Sequence, residues 1–372
     1  MAHLKTLLKL SLFYGNNPEY ILFGGGNTSV KEGKELWVKG SGLFLKGITE
    51  SGFVGMDHAA LETIWQKKYS RDPLEREAEN LKDILSARLP GQKSRPSVEV
   101  LFHSFLPGRY GVHTHPVLIN GLTCGMEGEK AVEKLFEGKA LWVPQHEPGY
   151  ILASSARKKY LSFVKARGMM ARIIFMQNHG LFIHGDTEKE IRDLYGLVRE
   201  KVLKKIKKLP DGVSKKLPAP VMKSLAAETE RCFGPGCAVS GAVNGTILQF
   251  AADPVLCRGI AVPFTCDQVL YAGAAVCRLE TIGDMAKTVS RYKSKFGRDP
   301  AAFILAGEGL FGIGKDAASA GYSLALARDA VRIAWSSRYF GGPHPLKKRI
   351  IDFILNWEAE KYRAAAGRRS AA

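Results

Sequence analysis

Apolar residues recur along this chain at two spacings, and each switch between them marks an element. Near the start, Leu4, Leu7, Leu8 and Leu12 fall at helical spacing, which predicts an amphipathic helix with those leucines on one face. Lys5 and Lys9 interrupt the apolar run and no small-residue cleavage site follows, so the segment is read as a helix rather than a secretion signal. Glu19–Phe23 leads into a glycine turn, Gly24-Gly25-Gly26-Asn27, and Glu35–Val38 is a short strand ahead of Lys39-Gly40-Ser41-Gly42. Asp57–Gln66 and Leu74–Ala87 are patterned as helices, the second bracketed by Pro73 and Pro90. Ser97–Phe105 is expected to be helical after Pro96. Gly111–His115 and Ala171–Met176 read as strands, the second a buried run. Ile191, Leu194, Tyr195, Val198 and Val202 predict a further amphipathic helix that ends at Pro210.

Strands alternating with helices define an α/β layered domain over residues 1–210. A smaller α/β domain is expected over 211–345, with strand and helix signals such as Thr246–Phe250 and Ala301–Leu305. One stretch of it echoes the first domain: Ile173–Gly185 aligns without gaps to Ala302–Gly314, an offset of 129 residues with four identities in thirteen positions. The second domain is therefore expected to be a degenerate repeat, with Glu308 opposite His179 and no histidine pair or metal of its own. Residues 346–372 form a C-terminal helix and tail. Its apolar side, within Leu346–Arg363, carries Ile350, Ile351, Phe353, Ile354 and Trp357.

Length and composition fit this division. A chain of 372 residues suggests two domains, and 45% hydrophobic with 24% charged residues is ordinary for a globular protein. No apolar run reaches the ~18 residues of a membrane span, so no membrane partner and a cytoplasmic location are expected. The formal net charge is +18, which could draw nucleic acid, an anionic membrane or a phosphorylated small molecule. The densest basic run, Lys201–Lys208, is the polar side of the helix just described, and no nucleic-acid motif accompanies it. Nucleic acid is accordingly not expected as a partner. None of the six cysteines forms a CxxC pair, and Cys232 and Cys237, across a Gly-Pro-Gly turn, are read as thiols.

The chemistry lies in His113-Thr114-His115-Pro116 and Asn178-His179-Gly180. In a strand, residues i and i+2 share a face, so His113 and His115 present two imidazoles side by side. A third histidine at a strand-to-turn junction completes a three-nitrogen face with one open position, the hallmark of a catalytic rather than a structural zinc site. Three imidazoles also accept Mn²⁺ or Co²⁺. A His-x-His pair by itself is more often a surface or core feature, and Glu99 by itself would be a first-turn glutamate complementing a helix dipole.

The ordered set of motifs is more specific. GGGNTSVK at 24–31, KGSG at 39–42, RPSVE at 95–99, HTHP at 113–116 and NHG at 178–180 resemble the class II aldolase/adducin family in order and separation. The resemblance is closest to the aldolase portion of bifunctional rhamnulose-phosphate aldolase/dehydrogenase proteins, through PGYILA at 148–153 and the tail DFILNWEAEKYR at 352–363. The dehydrogenase half of those proteins is not expected, because the chain stops at Ala372. The resemblance implies a three-layer α/β/α domain with a central mixed sheet and assembly into homo-oligomers. It makes His113, His115 and His179 the ligands of a Zn²⁺ ion and Glu99 the acid/base. It makes Gly26, Asn27, Ser41, Gly42 and Ser97 the groups that hold the substrate's phosphate. Val98 and Gly24 depart from the family where hydroxyl residues are common, which weakens the phosphate assignment. A proton-donating tyrosine is also implied, with Tyr150, Tyr110 and Tyr362 all open. The implied activity is a zinc-dependent aldehyde-lyase reaction on a ketose or ketose phosphate through a metal-stabilised enediolate. The alternatives are a sugar-phosphate epimerase or decarboxylase on the same site, or a non-catalytic adducin-like interaction module.

Overall fold

A computed structural model describes residues 2–359 and Tyr362; the last part of the expected C-terminal helix and tail lies outside the described residues. The chain divides into two compact units, one comprising residues 1–119, 128–205 and 352 onward, the other 120–127 and 206–351.

The first unit is built on seven strands: β1 (Asn27–Glu32), β2 (Glu35–Lys39), β3 (Phe53–Asp57), β4 (Tyr110–Thr114), β5 (Ala140–Val143), β6 (Ile173–Met176) and β7 (Gly180–Gly185). Their order in the sheet is β3-β2-β1-β4-β7-β6-β5. Every neighbouring pair is antiparallel except β5 and β6, so this is the mixed sheet, with flanking helices, that was expected. β4 is central and buried at all five positions.

Three expectations shift in detail. In the first helix, Ala2–Gly15, the buried stripe is Leu4, Leu7, Leu10, Ser11 and Tyr14, while Leu8 and Leu12 are only half-buried. Tyr14 meets Tyr20 edge-on and lies tilted against Tyr195, and that aromatic cluster turns the helix away from the all-leucine face. The helix expected from Ser97 begins at Val100 and ends at Phe105. Ser97 N–H donates to Lys39 carbonyl and Pro96 bridges Gly40, which hold residues 96–97 against the end of β2. The basic helix, Glu188–Lys205, stops short of Pro210 and buries Ile191, Tyr195, Val198 and Val202.

The second unit carries β8 (Ala238–Ala242), β9 (Val276–Leu279), β10 (Ala302–Leu305) and β11 (Gly309–Gly314), in the order β8-β11-β10-β9. This repeats the β4-β7-β6-β5 half of the first sheet, including the single parallel pair. The hairpins match in register as well: Ile173 faces Ile183 and Met176 faces Gly180, as Ala302 faces Gly312 and Leu305 faces Gly309. Residue 178 in one turn and residue 307 in the other both have positive φ, 59° for Asn178 and 72° for Gly307. Thr246–Phe250 lies within a helix, Gly245–Ala252, capped by the Asn244 side chain. None of the six cysteines is joined in a disulfide. Among the described residues no helix is long and apolar enough to cross a membrane.

Candidate metal centre

β4 delivers two of the three histidines. His113 is fully buried near its end, and His115 follows one residue beyond it. Thr114, between them, is pinned on the opposite face: its hydroxyl lies 2.8 Å from Tyr195 Oη, which in turn donates to Val112 carbonyl. The third histidine comes from the β6–β7 turn. Asn178 takes the left-handed conformation there, a role asparagine fills at little cost. Its side-chain oxygen accepts from Gln145 Nε2 at 2.6 Å. Gly180 is obligatory for packing, because a Cβ at that position would lie 2.3 Å from Thr114 carbonyl and 2.9 Å from His115 Cδ2. The sequence Asn-His-Gly thus reads as turn, candidate ligand, clearance.

The three histidines offer ligand nitrogens that all lie within 4.8 Å of one another. His113 Nε2 and His115 Nε2 are 2.8 Å apart. His113 Nδ1 lies 3.0 Å from Leu181 carbonyl, which accepts its proton and leaves the Nε2 lone pair facing the cluster. Burial holds the His113 imidazole well below its usual pKa despite the neighbouring Glu99. Three imidazoles with converging nitrogens are what a divalent cation requires, and the residues fit one.

Glu99 completes the cluster. Its carboxylate oxygens lie 3.4 Å from His113 Nε2 and 3.1 Å from His179 Nε2, and Asn27 Nδ2 donates to it at 2.6 Å. Burial opposes its ionisation, but His113, His179 and the Asn27 amide outweigh that, and the carboxyl is held well below the usual range. Asn27 sits directly opposite His113 in the β1–β4 pairing, which puts its amide over the carboxylate.

Behind Asn27 stands a histidine that shares none of that His-x-His spacing. His103 Nε2 hydrogen-bonds Asn27 Oδ1, and His103 Nδ1 lies 2.6 Å from Ser29 Oγ. Burial drives its pKa down to about 3, so the ring is neutral. It then donates from Nε2 to Asn27 and accepts from the Ser29 hydroxyl. Ser29, His103, Asn27 and Glu99 therefore form one hydrogen-bonded chain ending at the carboxylate. The signal in the sequence was position, one helical turn after Glu99, rather than any histidine spacing.

The remaining predicted residues line three laced loops. Ser41 N–H donates to Arg95 carbonyl at 2.8 Å, and Gly40 bridges Pro96. Buried Lys39 donates to Gly24 carbonyl and to Leu43 carbonyl, tying the glycine turn to the loop after β2; this lysine was not singled out from sequence. Ser97 Oγ accepts from Glu99 N–H at 3.3 Å. Gly26 and Gly42 both have positive φ, 63° and 81°. A Cβ on Gly26 would also meet His113 carbonyl at 2.7 Å. The Asn27 side chain, placed with the phosphate group from sequence, spends both amide atoms on Glu99 and His103.

The three tyrosines are found in separate settings. Tyr110 Oη lies 3.1 Å from His3 Nδ1 at the opposite end of β4. Tyr150 packs between Trp65 and Tyr69, and Arg95 lies over the Tyr362 ring. None of these contacts reaches the histidines.

Residues 13–200 match the family described as "Class II Aldolase and Adducin N-terminal domain", and the chain belongs to that family. A relative from Bacillus subtilis (strain 168), "Uncharacterized oxidoreductase YuxG", is 24% identical over 96% of this chain. The chain spans 58% of that relative's length. Among solved structures, the N-terminal class II aldolase domain of a conserved protein from Thermoplasma acidophilum is 25% identical. It covers 54% of this chain and 92% of its own, with a TM-score of 0.46. L-fuculose-1-phosphate aldolase from Thermus thermophilus is 15% identical, covers 55% and 94%, and has a TM-score of 0.35.

Proposed function

We propose that this chain is a divalent-metal-dependent aldolase, a carbon–carbon lyase that cleaves or forms a ketose or ketose phosphate. His113, His115 and His179 hold the metal, zinc first among the candidates. Glu99 is the acid/base. The observation that supports this most is the Glu99 carboxylate set against two of the three imidazoles at 3.1 and 3.4 Å and fixed from behind by Asn27. A cation held by three imidazoles supplies the Lewis acidity that offsets negative charge developing on a hydroxyketone as its carbon–carbon bond opens. Glu99, ionised and oriented, takes the proton from, or returns it to, the carbon that gains or loses that bond. Asn27 and His103 restrict the carboxylate to one orientation.

The loops at 24–27, 39–43 and 95–97 are read as the wall that receives a phosphate, with Gly26, Asn27, Ser41, Gly42 and Ser97 on it. The backbone of Gly26, Gly42 and neighbouring turns provides the donors, and Lys39 adds a buried cation. The same reading has the chain assembling into homo-oligomers in the cytoplasm.

The test is metal analysis combined with carbon–carbon cleavage assays on ketose 1-phosphates and their unphosphorylated counterparts. About one zinc per chain is expected, lost in the His113→Ala and His115→Ala variants. Glu99→Gln should keep the metal and lose turnover by about 10²–10⁴-fold. A chain that takes up no zinc, manganese or cobalt on reconstitution, or a fully active Glu99→Gln variant, sinks the reading.

A further inference from the structure

In the first unit β4 is covered on both edges, by β7 on one side and by β1 on the other. The second unit repeats β4 as β8 and β7 as β11, yet among the described residues no strand repeats β1. Among the described residues one bridge stands on that edge: Lys215 and Val243 exchange both backbone hydrogen bonds at 2.9 Å. The chain then leaves through Pro218 into the helix Ala219–Phe233. Antiparallel strands direct both backbone groups of alternate residues to the same side, so Gly241 and Val239 aim N–H and C=O at the edge that Val243 uses. Ala238, Val239, Ser240 and Gly241 are half-buried, whereas all five residues of β4 are buried.

The edge lies at the base of a groove of about 640 Å³. Its two walls are helices on opposite faces of the sheet. Gly241 points toward Met222 of the helix Ala219–Phe233, and Gly312, which is opposite Ser240, points toward Leu324 of the helix Ala317–Ser337. The groove is therefore shaped for an extended chain laid against a strand, with half-buried Met222 and Leu324 available to apolar side chains on either face and buried Leu217 packed over Gly241 between them. Lys215, Lys216 and Arg328 also line it, and none of the described lining residues is acidic.

We propose that the open edge of β8 binds an extended acidic peptide segment of another protein by strand addition, in the position that β1 holds beside β4. Main-chain hydrogen bonds to Val239 and Gly241 supply affinity, and alternating acidic and apolar side chains meet the lysines, Arg328 and the apolar walls. The charge decides the occupant. A second copy paired edge to edge would bring Lys215, Lys216 and Arg328 toward their own duplicates. The C-terminal segment of this chain, with Arg363, Arg368 and Arg369, also has the wrong sign.

The experiment selects a displayed library of random linear peptides on the full chain and synthesises the enriched peptides with a fluorescent label. Affinity is read by fluorescence polarisation and the contact surface by hydrogen–deuterium exchange. Enriched sequences should alternate acidic with apolar residues and should protect the Val239 and Gly241 amides. Val239→Pro, which deletes an outward N–H, should weaken binding about tenfold or more, while Val239→Thr, which keeps it, should not. Replacing Lys215, Lys216 and Arg328 together with glutamate should abolish binding of the acidic peptides. Circular dichroism and thermal melts verify that each variant is folded. Failure to enrich any peptide overturns the proposal. So does enrichment of neutral or basic sequences, protection away from β8, or equal binding by the proline and threonine variants. A dimer that Val239→Pro dissociates assigns the edge to a second copy and overturns it equally.

Discussion

The space left by the missing side chain of Gly180 is filled by Thr114 carbonyl and the His115 ring, so this glycine supports the candidate site without facing a substrate. Gly180→Ala should therefore cost about 2–4 kcal/mol of stability, read as a lowered midpoint in urea, and should lose metal affinity with it. His103 presents the reverse case, since its hydrogen bonds lead to the histidines through Asn27 and Glu99. His103→Leu strands Asn27 Oδ1, and turnover should fall about 10–100-fold with the metal content unchanged. Equal loss of metal would show that the residue acts on folding instead. Lys31 offers a test with a defined sign. Burial pushes its ammonium down to about 8, against a smaller opposing pull from Glu62, and its Nζ donates to Leu106 carbonyl. Between that value and the ordinary 10.5 the unfolded chain holds a proton that the folded chain has released. The contribution of Lys31 to stability is accordingly full above the window and lost as the pH falls through about 8. The stability difference between wild type and Lys31→Met, measured by urea titration across that range, should shift in favour of wild type as the pH rises. A pH-independent difference would refute the assignment.

The strands and turns explain what could be read in advance. His113 and His115 were legible because alternation along a strand is local, and His179 because Asn-His-Gly states its own turn. Glu99 was legible from its place in RPSVE, but its partner Asn27 depends on the β1–β4 register, which no local pattern encodes. The first helix shows the same limit: leucines at 8 and 12 are as apolar as those at 7 and 10, and only the tyrosine cluster against Tyr195 decides between faces. The matching pair of hairpins, by contrast, could be aligned in thirteen residues, and the structural match extends past them. Gly168 and Gly297, 129 residues apart, both end helices in the left-handed conformation, with φ of 64° and 67° and open space where a Cβ would stand. Alanine at either position should cost about 1 kcal/mol, since only backbone strain differs, and the two penalties should agree in thermal melts. A clear inequality would mean the two caps are not equivalent.

At the scale of the whole chain, the charge of +18 and the two sheets pull in different directions. Composition alone could not say where the cations matter; Lys39 is buried under the glycine turn while Lys215 and Lys216 line a groove in the other unit. The short excursion of residues 120–127 into the second unit has no sequence signature, because it depends on pairings such as Gly125 with Pro343 that are distant in the chain. If the histidine trio holds zinc, the apo chain at about a hundred times the zinc Kd should gain about 2.7 kcal/mol, and His179→Ala should abolish the gain. The turn that carries His179 has a further consequence. Its counterpart at 306–308 closes the same hairpin in the same register with a glutamate in the histidine's place. The hairpin backbone thus closes with either side chain, so what limits the variants of residue 179 in a search for altered metal preference is its buried contact with Glu99 and not the turn that displays it.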